Sequence, residues 1–187
     1  MTVIICSIIG AILLLILIFV GFWITTSNKF NKMKLKIDES YADIDAILTK
    51  RYEILTKQLN IIKGFSKDDR DTFVEVTAMR AAGTSRDIKT MTEANAQMDQ
   101  LAKQINIQAE KYPELKANSM YSQLQTSIAD VDERLQTSRR IFNSNVSRYN
   151  QAIIVFPGSI VAKVKHLTKA EFFKSEDKKS EDVEMYF

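Results

Sequence analysis

An all-α fold with an N-terminal transmembrane helix is predicted by three features of this 187-residue chain. Residues 3–24 are almost wholly apolar, and the first 28 residues carry no charged side chain. Only 5 Gly and 2 Pro occur in the whole sequence, too little punctuation for the many turns of a β-rich fold. Beyond the apolar run, hydrophobic residues recur at steps of three and four, the period of a helix face. Together these predict a transmembrane helix followed by an elongated antiparallel bundle of three long helices and a short C-terminal helix.

The apolar run is long enough, at about 1.5 Å per residue, to cross a hydrocarbon core of about 30 Å. A cleaved signal would need a basic start, a shorter apolar stretch and a small-residue cleavage site. The start M-T-V-I-I-C has no Lys or Arg, so the segment reads as a retained anchor over residues 1–28. Trp23 falls where an interfacial aromatic belongs. Cys6 reads as a small apolar residue of the span. As the sole cysteine it allows no intrachain disulfide.

Lys29, Lys32, Lys34 and Lys36 follow the span without an acid among them. The positive-inside rule then puts the N-terminus outside and the body in the cytoplasm. Removing this collar leaves 22 basic against 23 acidic residues. The collar suits anionic lipid headgroups, at about 1 kcal/mol per lysine. The nearly neutral body lacks the broad basic face that nucleic-acid binding requires.

A helical bundle is expected over residues 29–170. Ile37, Tyr41, Ile44, Leu48, Leu55, Leu59 and Ile62 form a heptad-like seam, with Arg51 filling its gap. The register extends back through Leu35 into the anchor, which predicts one continuous helix ending near Gly64. Ser66-Lys67-Asp68-Asp69 reads as the cap of a second helix bearing Phe73, Val76 and Met79. Gly83-Thr84-Ser85 marks a break or a bend. The face then resumes with Ile88, Met91, Ala94, Met98, Leu101 and Ile105, and Tyr112-Pro113 stops it. Asn118 or Ser119 caps a third helix with Met120 or Tyr121, Leu124, Ile128, Val131, Leu135, Ile141-Phe142, Tyr149 and Ile153 on its face. It ends near Phe156-Pro157-Gly158. Ser159 is expected to cap a short amphipathic helix with Ile160, Val161, Val164 and Leu167. Residues 171–187 read as a flexible charged tail with little to bury.

The chain resembles the LemA family of bacterial membrane-anchored proteins. The resemblance is carried by Y-P-E-L-K-A-N at 112–118, Leu124-Gln125, and R-x-x-F-N-x-x-V-x-x-Y-N at 139–150. Phe156-Pro157, Ile160-x-Ala162, Phe172-Phe173 and I-D-A-I-L-T-K-R-Y-E-I-L at 44–55 extend it, with Lys63-Gly64-Phe65 and the surroundings of Met79-Arg80-Ala81. Two positions depart from the family pattern: Thr56 stands where a Pro is common, and Phe142 where a Tyr is frequent. The first implies an unkinked first helix; the second removes a hydroxyl. The resemblance implies an N-terminal membrane helix, in a bacterial inner or plasma membrane, and a helical cytoplasmic body. It implies no reaction.

The residues offer little to catalysis. His166 is the single histidine, and neither a zinc set nor paired Glu-x-x-His motifs nor a Gly-rich phosphate loop is present. Asp43-x-Asp45 and Asp130-x-Asp132-Glu133 read as solvated helix faces. The box Arg139, Asn143, Arg148, Tyr149 and Asn150 has two readings. It sets helix register through satisfied polar groups near the seam, or it forms a docking surface for a protein or ligand. Arg51 is expected to meet a carboxylate of the third helix in the same network. The function predicted is a non-enzymatic membrane-anchored scaffold or adaptor without cofactors. Its partners are membrane lipids, an unidentified protein or a second copy of itself, and not nucleic acid. The alternative is a sensor with a polar ligand site in the bundle.

Overall fold

A computed structural model of the chain describes residues 1–65, 87–116 and 118–173. Five helices occur among them: α1 (Thr2–Phe65), α2 (Ile88–Lys111), α3 (Pro113–Lys116), α4 (Ser119–Ile154) and α5 (Gly158–Val164). No strand is present among the described residues. The expected cap at 66–69, the helix face from Phe73 to Met79, the Gly83 neighbourhood and the tail from 174 onward lie outside them.

Helix α1 runs unbroken because nothing in its 64 residues interrupts it: both prolines lie far downstream. Its N-terminal part is long and apolar enough to cross a membrane, and residues 2–20 are exposed throughout. At Thr56 the hydroxyl donates to the Tyr52 carbonyl at 2.8 Å, and the helix continues through it. Asp87 caps α2, accepting from the amides of Lys89 and Thr90 at 3.3 Å each. Tyr112 ends that helix, as the following proline dictates. A single helical turn, α3, bridges to α4. Asn118 Oδ1 accepts from the amides of Met120 and Tyr121 at 3.0 and 3.2 Å, so Asn118 and not Ser119 is the cap.

By their contacts the residues divide into two compact units. The first combines residues 1–39 with 144–170; the second combines 40–143 with the residues from 171. In the second, Ile44, Leu48, Leu55, Leu59 and Ile62 of α1 are buried, with Met91, Ala94, Met98, Leu101 and Ile105 of α2. Tyr121, Ile128, Val131, Leu135 and Phe142 of α4 complete this core, while Met120 and Ile141 face outward. Helices α1 and α4 run antiparallel. Arg51 of α1 meets Asp132 of α4, and Tyr41 stacks at a tilt on Phe142, so one helix advances ten residues as the other retreats ten. Asp99 of α2 and Asp132 of α4 meet at Arg51, and seven residues on in α2 Asn106 accepts from Gln125, seven residues back in α4; α2 is thus antiparallel to α4 and parallel to α1.

In the first unit, Phe30, Tyr149, Ile153, Val161 and Ala162 form the core. Phe22, Trp23, Met33 and Leu167 pack on it, and the rings of Phe30 and Tyr149 meet edge-on at 6.4 Å. Three sequence expectations change here. The seam of α1 continues through Met33 and Phe30; Leu35 is 57% exposed. A step of four from Ile37 leads to Met33, and helix geometry cannot place Leu35, two residues away, on the same face. Ser159 is not the cap of α5: the helix starts at Gly158, with Pro157 in the capping position and no side-chain bond. And α5 does not bury one continuous apolar face. Val161 and Ala162 are buried, whereas Ile160 and Val164 are exposed.

Gly158 permits the close turn into α5. A Cβ there would lie 2.6 Å from the Ala152 carbonyl oxygen, a backbone atom that cannot step aside, and 3.5 Å from the Phe30 ring. Gly158→Ala is therefore expected to push α5 off the Phe30 cluster and destabilise the fold by about 1–3 kcal/mol, the usual cost of overpacking. Thermal melts followed by circular dichroism on the full chain in detergent measure this; an unchanged melting temperature would contradict it.

Candidate functional site

Polar residues converge at three places, one around Arg51, one on the outer part of α4, and one beside the lysine collar. Arg51 sits at the centre of the second unit, 4% exposed, where the apolar seam leaves a gap. Its Nη1 donates to Asn95 Oδ1 at 2.8 Å and its Nη2 to Asp99 Oδ1 at 2.6 Å. Its Nε lies 2.7 Å from Asp132 Oδ1, an ion contact without hydrogen-bond alignment. Asn95 in turn donates to Asp99 at 3.1 Å. One guanidinium thus joins α1, α2 and α4, and its fork geometry fixes their register. Burial raises the Asp132 carboxyl above its ordinary range, and Arg51 only partly opposes this. Gln58, also buried on α1, leaves its Nε2 without a hydrogen-bond partner among the described residues.

The box at 139–150 does not form one site. In the second unit, Asn143 clasps the main chain of Phe173: its Nδ2 donates to the Phe173 carbonyl at 3.0 Å, and the Phe173 amide donates to its Oδ1 at 2.8 Å. Arg139 lies over the Phe173 ring, 4.7 Å from its centroid. Burial lowers the Arg139 guanidinium from its usual range, opposed by Asp99. Phe173 is itself 3% exposed, so residues 171–173 do not belong to a free tail; the remainder of that tail lies outside the described residues.

In the first unit Asn150 repeats the arrangement. Its Nδ2 donates to the Ala170 carbonyl and its Oδ1 accepts from the Ala170 amide, both at 2.9 Å. Tyr149 is buried against Phe30, which raises its phenol. Arg148 is exposed. Seven residues of helix and three of extended chain each advance about 10 Å. An N-x6-N spacing on a helix therefore suits clasped residues three apart on an extended segment. The sequence gives Asn143 and Asn150 one helix face, but nothing in its pattern names Ala170 and Phe173 as their partners.

Lys29, Lys32 and Lys36 share one face of α1, and with Arg148 and Asn145 of α4 they line an open groove of about 570 Å³. Thr25, Asn28 and Met33 complete its walls, and Lys34 is not part of it. Among the described residues no carboxylate borders the groove. Asn145 donates to the Lys36 carbonyl at 3.2 Å, which holds the two walls together. Among the described residues no group of three or more His, Cys, Asp or Glu side chains is placed to hold a metal ion.

An apolar helix long enough to cross a membrane, continued as a helical bundle held by polar side chains that bond one another or the main chain, defines a class of membrane-associated helical proteins. The particular family follows from comparison with known proteins. The LemA family matches residues 40–187, and the chain belongs to that family. Protein LemA of Metamycoplasma hominis is 24% identical over 169 residues, covering 89% of this chain and 77% of that protein. Magnetosome protein MamQ of Magnetospirillum gryphiswaldense is 30% identical over 64 residues, 34% of this chain but only 24% of its own length. Magnetosome protein MamQ 2 of Paramagnetospirillum magneticum is similar over a comparable share, at 29% identity over 65 residues.

Removing the Arg51 guanidinium should cost the fold about 2–3 kcal/mol in Arg51→Ala, the scale of charge-assisted hydrogen bonds. Asp99 and Asp132 keep 49% and 41% side-chain exposure, so water can take over part of their solvation. Arg51→Met should cost less, because it fills the same space without burying a cation. Equal losses for the two variants in denaturant titrations would contradict this assignment.

Asn143→Ala and Asn150→Ala each leave one main-chain donor and one acceptor unpaired. Each is expected to lower stability by about 1–3 kcal/mol. Hydrogen exchange should show faster exchange at the Phe173 amide in the first variant and at the Ala170 amide in the second. Unaltered exchange at those two amides would show that the clasps hold nothing.

Proposed function

We propose that the chain is a non-enzymatic scaffold, anchored by α1 in a bacterial plasma membrane with its N-terminus outside and its helical body in the cytoplasm. The observation that carries this reading is where the buried polar groups go. Arg51 is directed onto Asn95, Asp99 and Asp132, and Asn143 and Asn150 onto the protein's own main chain. These groups hold helices and segments together; they do not converge on a space where a substrate could react. The orientation rests on the charge of the collar, Lys29, Lys32, Lys34 and Lys36, against an uncharged N-terminal flank.

Outward faces such as Gln97 and Gln100 on α2 are exposed and polar. They suit modest contacts with a protein partner or a second copy. Confinement to a membrane raises the effective concentration of such partners and makes weak contacts useful. A ligand sensor centred on the 139–150 box is less well supported, because Asn143 and Asn150 already hold main-chain groups.

Two measurements on the full chain in its native membrane test the reading. With Cys6→Ser, a cysteine introduced as Gln136→Cys should resist an impermeant maleimide in intact cells and react after lysis; reaction in intact cells would overturn the cytoplasmic placement. A photoreactive residue at Gln97 or Gln100 should give discrete crosslinked species with protein. Crosslinking at neither position would count against the scaffold role.

A further inference from the structure

The end of α4, the turn after it and α5 expose a cluster of large apolar side chains. Phe156 is 76% exposed and Val164 60%, with Ile154, Val155 and Ile160 beside them in the chain. The opposite face of α5, Val161 and Ala162, is buried on Phe30, Tyr149 and Ile153. A seven-residue helix is thus apolar on both sides, and only one side is covered by protein.

The position of this cluster in the first unit says what covers the other side. Helix α4 runs back along α1: Asn145 bonds the Lys36 carbonyl, and Tyr149 meets Phe30. Continued at the same antiparallel rate, Phe156 comes level with the residues around Ile24, where the apolar run ends. Two contacts fix that level. Phe22 and Trp23 pack against the cluster that buries Val161 and Ala162. Lys165, at the end of α5, donates to the hydroxyl of Ser27, four residues past Trp23 and so about 6 Å farther along the helix.

Charge points the same way. The first unit carries eight basic side chains and two acidic ones, a net of +6, while the rest of the chain carries 18 basic and 21 acidic. Lys163 and Lys165 flank Val164 and are exposed. Exposed apolar and aromatic side chains rimmed by lysines are the signature of an element that lies in a membrane interface and prefers anionic lipid.

We propose that the 154–157 turn and the outer face of α5 insert into the leaflet from which α1 emerges. Phe156, Val155, Ile160 and Val164 enter the boundary between headgroups and acyl chains, and Lys163 and Lys165 meet anionic headgroups. The body is then attached to the membrane twice, once through the span and once through this wedge. The proposal rests on the reading of α1 as a membrane span.

The test uses the full chain carrying Cys6→Ser, reconstituted in vesicles of phosphatidylcholine and phosphatidylglycerol. An environment-sensitive fluorophore is attached at Phe156→Cys, at Ser144→Cys on the exposed surface of α4 twelve residues earlier in the chain, or at Leu14→Cys within the span. Spin labels on the lipid acyl chains should quench the probe at position 156 several-fold more than the probe at 144, and iodide in the water should do the reverse. Equal iodide quenching at 156 and 144 would overturn the proposal, because the wedge would then be in water. Protection of the 156 probe from both quenchers would also overturn it, since protein would be covering the patch. The probe at position 14 reports the span separately: quenching there with none at 156 rejects the wedge alone, and no lipid quenching at 14 rejects the span and the wedge together.

Discussion

One helix has to satisfy two solvents. Thr2–Phe65 is a single 64-residue element, and its side-chain pattern changes along its length because its surroundings do. Hydrocarbon offers no hydrogen bonds, so the first part is apolar on every side and leaves its backbone groups to the helix itself. Beyond Trp23 the same helix carries lysines on one face and an apolar stripe on another, the arrangement required of a helix half in water. The stripe that begins with Phe30 and Met33 and passes through Ile44, Leu48 and Leu55 selects which faces the other helices cover. No proline or cap interrupts this continuity, so the rotation of the apolar segment about its axis is tied to the rotation of the stripe.

Hydrophobic burial along such stripes is weakly specific, because a helix can slide by a turn and still bury apolar surface. Polar groups remove that freedom. Arg51 meets Asn95, Asp99 and Asp132 in one alignment of α1, α2 and α4. A slide by one turn moves each partner about 5.4 Å and leaves a desolvated cation. Burial nevertheless works against the charges it aligns, as the raised carboxyl of Asp132 shows. The network is better understood as a device for choosing one packing than as a large source of stability.

Much of this architecture is legible in the residues. Period and length identify the apolar span and the seams; Pro113 ends α2 and Asn118 begins α4 by local chemistry alone. The misreadings have physical causes. Steps of three and four leave two candidates at many positions, so Tyr121 and Met120 are separated only by what α4 packs against. Gln58 and Ile54 are buried although neither belongs to the narrow seam, because α1 is covered over a wider arc than one partner requires. In a helix as short as α5, periodicity finds apolar residues on both sides and cannot say which side meets protein. The asparagines of the 139–150 box were legible as polar groups on one helix face. Their partners were not, since they bond to main chain, and main chain has no sequence signature.

An asparagine that holds the N–H and C=O of one residue, as Asn150 holds Ala170, reads the path of the chain and is blind to the side chain attached to it. The clasping residue is constrained because few other side chains offer a donor and an acceptor at that spacing. The two hydrogen bonds themselves ask of the clasped residue only that it not be proline, which lacks the N–H; its side chain answers to its own packing, as Ala170 does against the core of the first unit. The hydrogen bonds therefore constrain the two halves of the contact unevenly, loosely at the held position and tightly at the holder. Two residues in intimate contact would then show almost no covariation, and a map of contacts drawn from paired sequence changes would miss the joint that fastens this segment to its helix.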